Sequence, residues 1–224
     1  MRRFLRDNGL SIGFGVIFLL ALIGQAFAGN ADFNNQQLAN GGAPIGFLEY
    51  VTSADFAVDV TENWQSEYLQ FLLFVLATVW LVQRGSPESK SLDDIGLESD
   101  QKQKLGKFTT NQSPAWARAG GWRTSVFSNS LGLTMGLLFL LSWLAQSIAG
   151  WNAFNGEQLA DLEDPVSWGS YLLAADFWNR SLQNWQSEFL AVGSMAILSV
   201  YLRQRGSPES KPVGAPHATT DESG

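Results

Sequence analysis

Apolar residues along this chain fall in four uncharged blocks separated by polar and charged stretches. The first block, Leu10 to Ala28, reads LSIGFGVIFLLALIGQAFA. A helix needs about 20 residues to cross roughly 30 Å of hydrocarbon, so this block is long enough to span. The second, Leu69 to Val82, reads LQFLLFVLATVWLV. Alone it would cover only about 21 Å at 1.5 Å per residue, and extension from Trp64 to Arg84 brings it to about 30 Å. The third block runs from Leu131 to Ala149, and the fourth, Leu190 to Leu202, again needs its flank from Trp185. The pattern predicts an all-α membrane protein with four transmembrane helices, at about 9–28, 64–84, 130–149 and 185–204. Buried helices of a soluble protein are the alternative. Trp, Tyr and basic residues at the block ends argue against it.

Shifted by 121 residues, the chain matches itself without a gap. About 35 of 83 aligned positions are identical, too many for chance similarity between apolar segments. NWQSE at Asn63–Glu67 recurs at Asn184–Glu188, and QRGSPESK at Gln83–Lys90 recurs at Gln204–Lys211. Ala54-Asp55-Phe56 recurs at Ala175-Asp176-Phe177. Each copy holds two spans, so the copies share one orientation: two tandem parallel helix–loop–helix repeats. The expected organisation is a first repeat over 1–90, a cytoplasmic linker with an interfacial aromatic segment over 91–128, a second repeat over 129–211, and a disordered tail over 212–224. Inside the second helix of each copy the apolar residues have drifted, FLLFVLAT against VGSMAILS, whereas the polar ends are kept.

Charge sets the orientation. Thirteen of the fourteen basic residues precede the first span, lie between the second and third, or follow the fourth; Arg180 is the exception. That asymmetry places both termini and the linker in the cytoplasm and the two intra-repeat loops, near 30–63 and 151–184, outside. The segment Arg2-Arg3 to Ala28 imitates a signal peptide. Its counterpart ending at Ala149 lies mid-chain, so the first span is expected to be retained.

The NWQSE motifs place Trp64 and Trp185 as interface anchors and set Glu67 and Glu188 three residues deeper, about 4.5 Å along a helix. A carboxylate at that depth must be paired, hydrated or protonated. Gln25 and Gln146 sit at a matching depth on the first and third spans. The expectation is a polar layer near the external face formed by Glu67, Glu188, Gln25 and Gln146, with Asn63 and Asn184 at its rim. It is either inter-helix glue or a site for a ligand, ion or proton. Asp55 and Asp176 are expected at helix starts, as caps of the second helix of each copy. The segments Phe47–Phe56 and Trp168–Phe177 read as short amphipathic helices on the outer interface.

In QRGSPESK, Arg84 and Arg205 complement a helix C-terminus and anchor it inside. Gly85 and Gly206 suit the left-handed position after a helix, and Pro87 and Pro208 stop it. These account for RGSP but not for ESK. Trp116, Trp122 and Phe127 among Arg118 and Arg123 read as an inner-surface segment broken at Gly120-Gly121.

Composition narrows the chemistry. The chain has no cysteine and one histidine, His217, in the polar tail. No catalytic residue, metal ligand or cofactor is expected, and an intramembrane enzyme lacks its usual nucleophile and base. The basic residues are explained by topology, so no nucleic acid is expected as a partner.

The NWQSE[FY]L stretch, the ADF shortly before it and the QRGSPESK exits resemble a family of uncharacterised bacterial membrane proteins defined as a domain of unknown function. The resemblance covers nearly all of the chain outside the linker and tail. It implies four spans and a bacterial inner-membrane location, and carries no activity. The leading expectation is therefore a non-enzymatic structural or accessory protein of the bacterial inner membrane. Its partners would be the lipid bilayer and either further copies of itself or a membrane protein. The rival is a small transporter or channel using the Glu/Gln layer.

Overall fold

A computed structural model describes residues 2–222, and every regular element among them is helical. In chain order they are α1 (Arg2–Asp7), α2 (Gly9–Ala39), α3 (Phe47–Val51), α4 (Ala54–Ala77), α5 (Ala115–Ala119), α6 (Gly121–Ser128), α7 (Ser130–Ala160), α8 (Trp168–Tyr171) and α9 (Ala175–Tyr201). Two of them, α2 and α7, are long and apolar enough to cross a membrane. Each has 31 residues, about 46 Å at 1.5 Å per residue.

The helices differ in extent from the four expected spans. Both α2 and α7 continue about ten residues past the apolar block, because NADFNNQQLA and its counterpart WNAFNGEQLA contain no proline. The first ends at Gly41 in the left-handed region (φ 77°), where Gly42 N donates to Gln37 O at 2.8 Å. The second ends at Leu162 (φ 61°), where Glu163 N donates to Gln158 O at 2.7 Å. In the other direction, α4 stops at Ala77 instead of running to Arg84. Thr78, Val79 and Trp80, all mediocre helix formers, turn there, and Leu81 to Gln83 have no regular secondary structure.

The chain folds as two compact units. The first contains the residues up to Thr61 together with Ala145–Leu172. Its core is tyrosine: Tyr50 and Tyr171 are fully buried, along with Val58. The Tyr50 hydroxyl lies so close to α2 that a Cβ on Gly29 would sit 2.2 Å from it. At Gly150 on α7 the corresponding distance to the Tyr171 hydroxyl is 2.3 Å. Each of these glycines is therefore required by a tyrosine docked on the helix backbone. The rings stack on neighbours in the same way, Tyr50 on Phe33 at 5.7 Å and Tyr171 on Phe154 at 5.5 Å.

An asparagine holds each return segment. Asn34 accepts from Ile45 N at 2.8 Å and donates to Ile45 O at 3.0 Å. Asn155 does the same to Val166 at 2.8 and 3.1 Å. The expected amphipathic segments are each divided: α3 is separated from α4 at Thr52-Ser53, and α8 from α9 at Leu172–Ala174.

The second unit contains Glu62–Leu144 and the chain from Leu173 onward. Leu72 and Leu76 of α4 contact α7 at Gly136 and Gly132. The aromatic segment Ala115–Ser128 breaks at the glycines, as expected. Gly120 (φ 72°) separates α5 from α6, and Trp116 meets Trp122 edge-on at 5.7 Å. The linker is not featureless: 3-10 turns at Leu92–Asp94 and Gly106–Phe108 punctuate it, and Lys102 pairs with Asp94.

Candidate functional site

Every feature that concentrates polar chemistry in the second unit lies on α4, α9 or the loop that leaves each. Near the start of the shared stretch, Trp185 Nε1 donates to Gln65 Oε1 at 2.8 Å, and Gln65 is fully buried. Arg180 bridges Glu62 and Asp176, each at 3.3 Å. One turn further along α4 from Glu67, Gln70 lies on the same face. With its amide nitrogen facing the carboxylates, Gln70 donates to Glu67 Oε2 at 3.3 Å and to Glu188 Oε2 at 2.9 Å. An amide nitrogen carries two protons, so one side chain ties both acids.

This changes the expected polar layer. Glu67 and Glu188 are brought together, but the amide between them is Gln70. Gln25 and Gln146 belong to the first unit, Gln25 half-buried on α2 and Gln146 fully buried on α7. Asn184 donates back to Arg180 O at 2.9 Å, and Asn63 O accepts from Ser66 Oγ at 2.8 Å. Gln70 is the lone polar side chain in LQFLLFV, a legible signal. Its counterpart is Ala191, so a comparison of the two copies passes over it.

The two motif tryptophans have different surroundings. Trp64 is 40% exposed, whereas Trp185 joins Trp143 (5.9 Å) and Trp178 (6.5 Å) in an aromatic cluster that also takes in Phe177. Asp55 and Asp176 are the second residues of α4 and α9. The side chain bonded to the start of α4 is Ser53, which accepts from Phe56 N at 3.2 Å, and the N-cap residue of α9 is Ala174. The two carboxylates act there through the helix dipole.

The QRGSPESK loops account for the residues that helix-stop signals left over. Ser89 Oγ accepts from Gln83 N, and Ser210 Oγ from Gln204 N, both at 2.9 Å. Ser86 and Ser207 accept from the backbone N of Glu88 and Glu209. The lysines pin the chain that follows. Lys90 donates to Gly96 O at 3.0 Å and pairs with Glu98 at 3.3 Å. Lys211, fully buried, donates to the carbonyls of Pro216, His217 and Thr219. Gly85 (φ 89°) and Gly206 (φ 81°) supply the left-handed turn, with Arg84 and Arg205 exposed beside them.

The glutamates of the two motifs meet. The exposed Glu88 and Glu209 carboxyls lie close enough for a proton on one to hydrogen-bond the other. That hydrogen bond, then burial and the Glu209 charge, push Glu88 up to about 7. Between this pair and Gln70 lies a crevice of about 390 Å³ walled by Phe71 and Phe74 of α4 and by Val192 and Met195 of α9. Among the described residues, no group of three or more His, Cys, Asp or Glu side chains could hold a metal ion.

No curated protein and no solved structure matches the chain. A family model does, over residues 1–222, and the chain belongs to that family, a domain of unknown function, DUF6766.

Proposed function

We propose that this chain is a non-enzymatic, multi-pass protein of the bacterial inner membrane with an accessory role, binding a partner or lipid. It crosses the membrane four times as two parallel repeats, with both termini in the cytoplasm. The observation that carries the accessory reading is the Gln70 amide serving Glu67 and Glu188 at once, which makes the motif acids a tie between α4 and α9. Membrane insertion is supported by α2, whose apolar side chains point outward around the helix. Leu10 is 77% and Ile17 62% exposed, the surface of a helix that faces hydrocarbon. The parallel repeat is supported by the paired contacts Tyr50–Gly29 and Tyr171–Gly150, offset by 121 residues. A transport or channel reading is favoured by one feature, the crevice with acids toward both ends.

Substitution of the motif acids separates the two readings. In the accessory reading, Glu67→Gln and Glu188→Gln keep an acceptor for Gln70 and change thermal stability in detergent little. Leu at either position leaves that amide short of a partner and costs about 1–3 kcal/mol. Wild-type proteoliposomes then pass no ions. Ion flux in the wild type that disappears in the Gln variants at unchanged stability would establish transport instead.

A further inference from the structure

We propose that the crevice between α4 and α9 binds an organic monocation with an apolar body, its charge held by the Glu88 and Glu209 carboxylates that line one end of it. The volume, about 390 Å³, falls in the range of small-molecule sites. Its walls are carbon and sulfur: Phe71, Phe74, Val192 and Met195 offer apolar and aromatic contact, and a phenyl face attracts a cation. Its polar end is anionic. Bare divalent ions fit badly, because calcium and magnesium need about six or more oxygen ligands, and this wall supplies two carboxyls.

The charge count selects a monocation. With one shared proton, the pair carries a single negative charge. Losing that proton doubles the charge, and a bound monocation restores the original value. The exchange balances: one cation enters, and one proton leaves to water. Among the described residues that line the crevice, none is basic. The lysines of the same motifs are turned away, Lys90 to Gly96 O and Glu98, Lys211 to three backbone carbonyls. The inference needs neither the accessory nor the transport reading, since a ligand can be held or carried at the same site.

The test is calorimetric titration of the purified full-length chain in a non-ionic detergent with tetraphenylphosphonium. The isosteric anion tetraphenylborate serves as the control for partition into the micelle. Saturable binding of the cation and none of the anion is expected. Affinity should fall about tenfold from pH 8 to pH 6 as the proton competes. It should also fall about tenfold or more in Glu88→Gln/Glu209→Gln, which loses the charge. Met195→Trp should fill the crevice and abolish binding, with a melting temperature near wild type showing that the variant is folded. Glu98→Gln, outside the crevice, should bind like wild type. Absence of saturable binding in the folded wild type, equal uptake of the anion, or unchanged affinity in the double Gln variant would overturn the proposal.

Discussion

Leu162 ends α7 in the left-handed region (φ 61°), a conformation that costs a residue with a Cβ about 1–2 kcal/mol. At the matching position 121 residues earlier, α2 ends with Gly41 (φ 77°). Leu162 is 95% exposed, so its side chain contributes no packing to lose. Leu162→Gly should therefore raise thermal stability by about 1 kcal/mol, measured by melting in detergent. A lower melting temperature would mean that the strain is absent. Gly85 and Gly206 take the left-handed conformation expected of them, but not as helix ends: α4 and α9 stop at Ala77 and Tyr201, and the glycines sit in separate turns closed by Ser86 N to Gln83 O and Ser207 N to Gln204 O. Gly29 and Gly150 were visible only as identities, because the tyrosines that require them lie 21 residues away in each case.

At the scale of elements, hydropathy located the helices but misjudged their ends. Periodicity reports which residues avoid water, whereas a helix ends where its backbone finds other partners. Thus α2 and α7 outrun their apolar blocks, and α4 stops short, with Ser89 capturing the Gln83 N–H beyond it. The ESK tripeptides were unexplained for the same reason. Their serines and lysines bond backbone groups of neighbouring loop, and Glu88 finds Glu209 across 121 residues of chain.

That pairing has a pH signature. Glu88 binds its proton more tightly folded, at about 7, than at the ordinary 4.5. Below 4.5 both states are protonated and the contribution is fully present. As pH rises the unfolded chain ionises first, so stability falls between about 4.5 and 7 and levels off above. Glu88→Gln cannot titrate and should lose that slope. Melting curves of both proteins across this range check it, and parallel profiles would show that the pair shares no proton.

At the scale of the whole molecule, two helices are long and apolar enough to span, and the proposed topology adds two more crossings. The account rests on α4 and α9 crossing as well, although their apolar stretches are short and NWQSE lies within each helix. The polar ties on these helices are what would make such crossings tolerable. If they did not cross, Lys102 would lie on the same side as Asn40, and the two copies would not share an orientation. Reporter fusions settle this directly. The account predicts a cytoplasmic signal at Lys102 and in the C-terminal tail, and an external signal at Asn40 and Asp161. An external signal from the fusion at Lys102 would contradict the four-span parallel repeat.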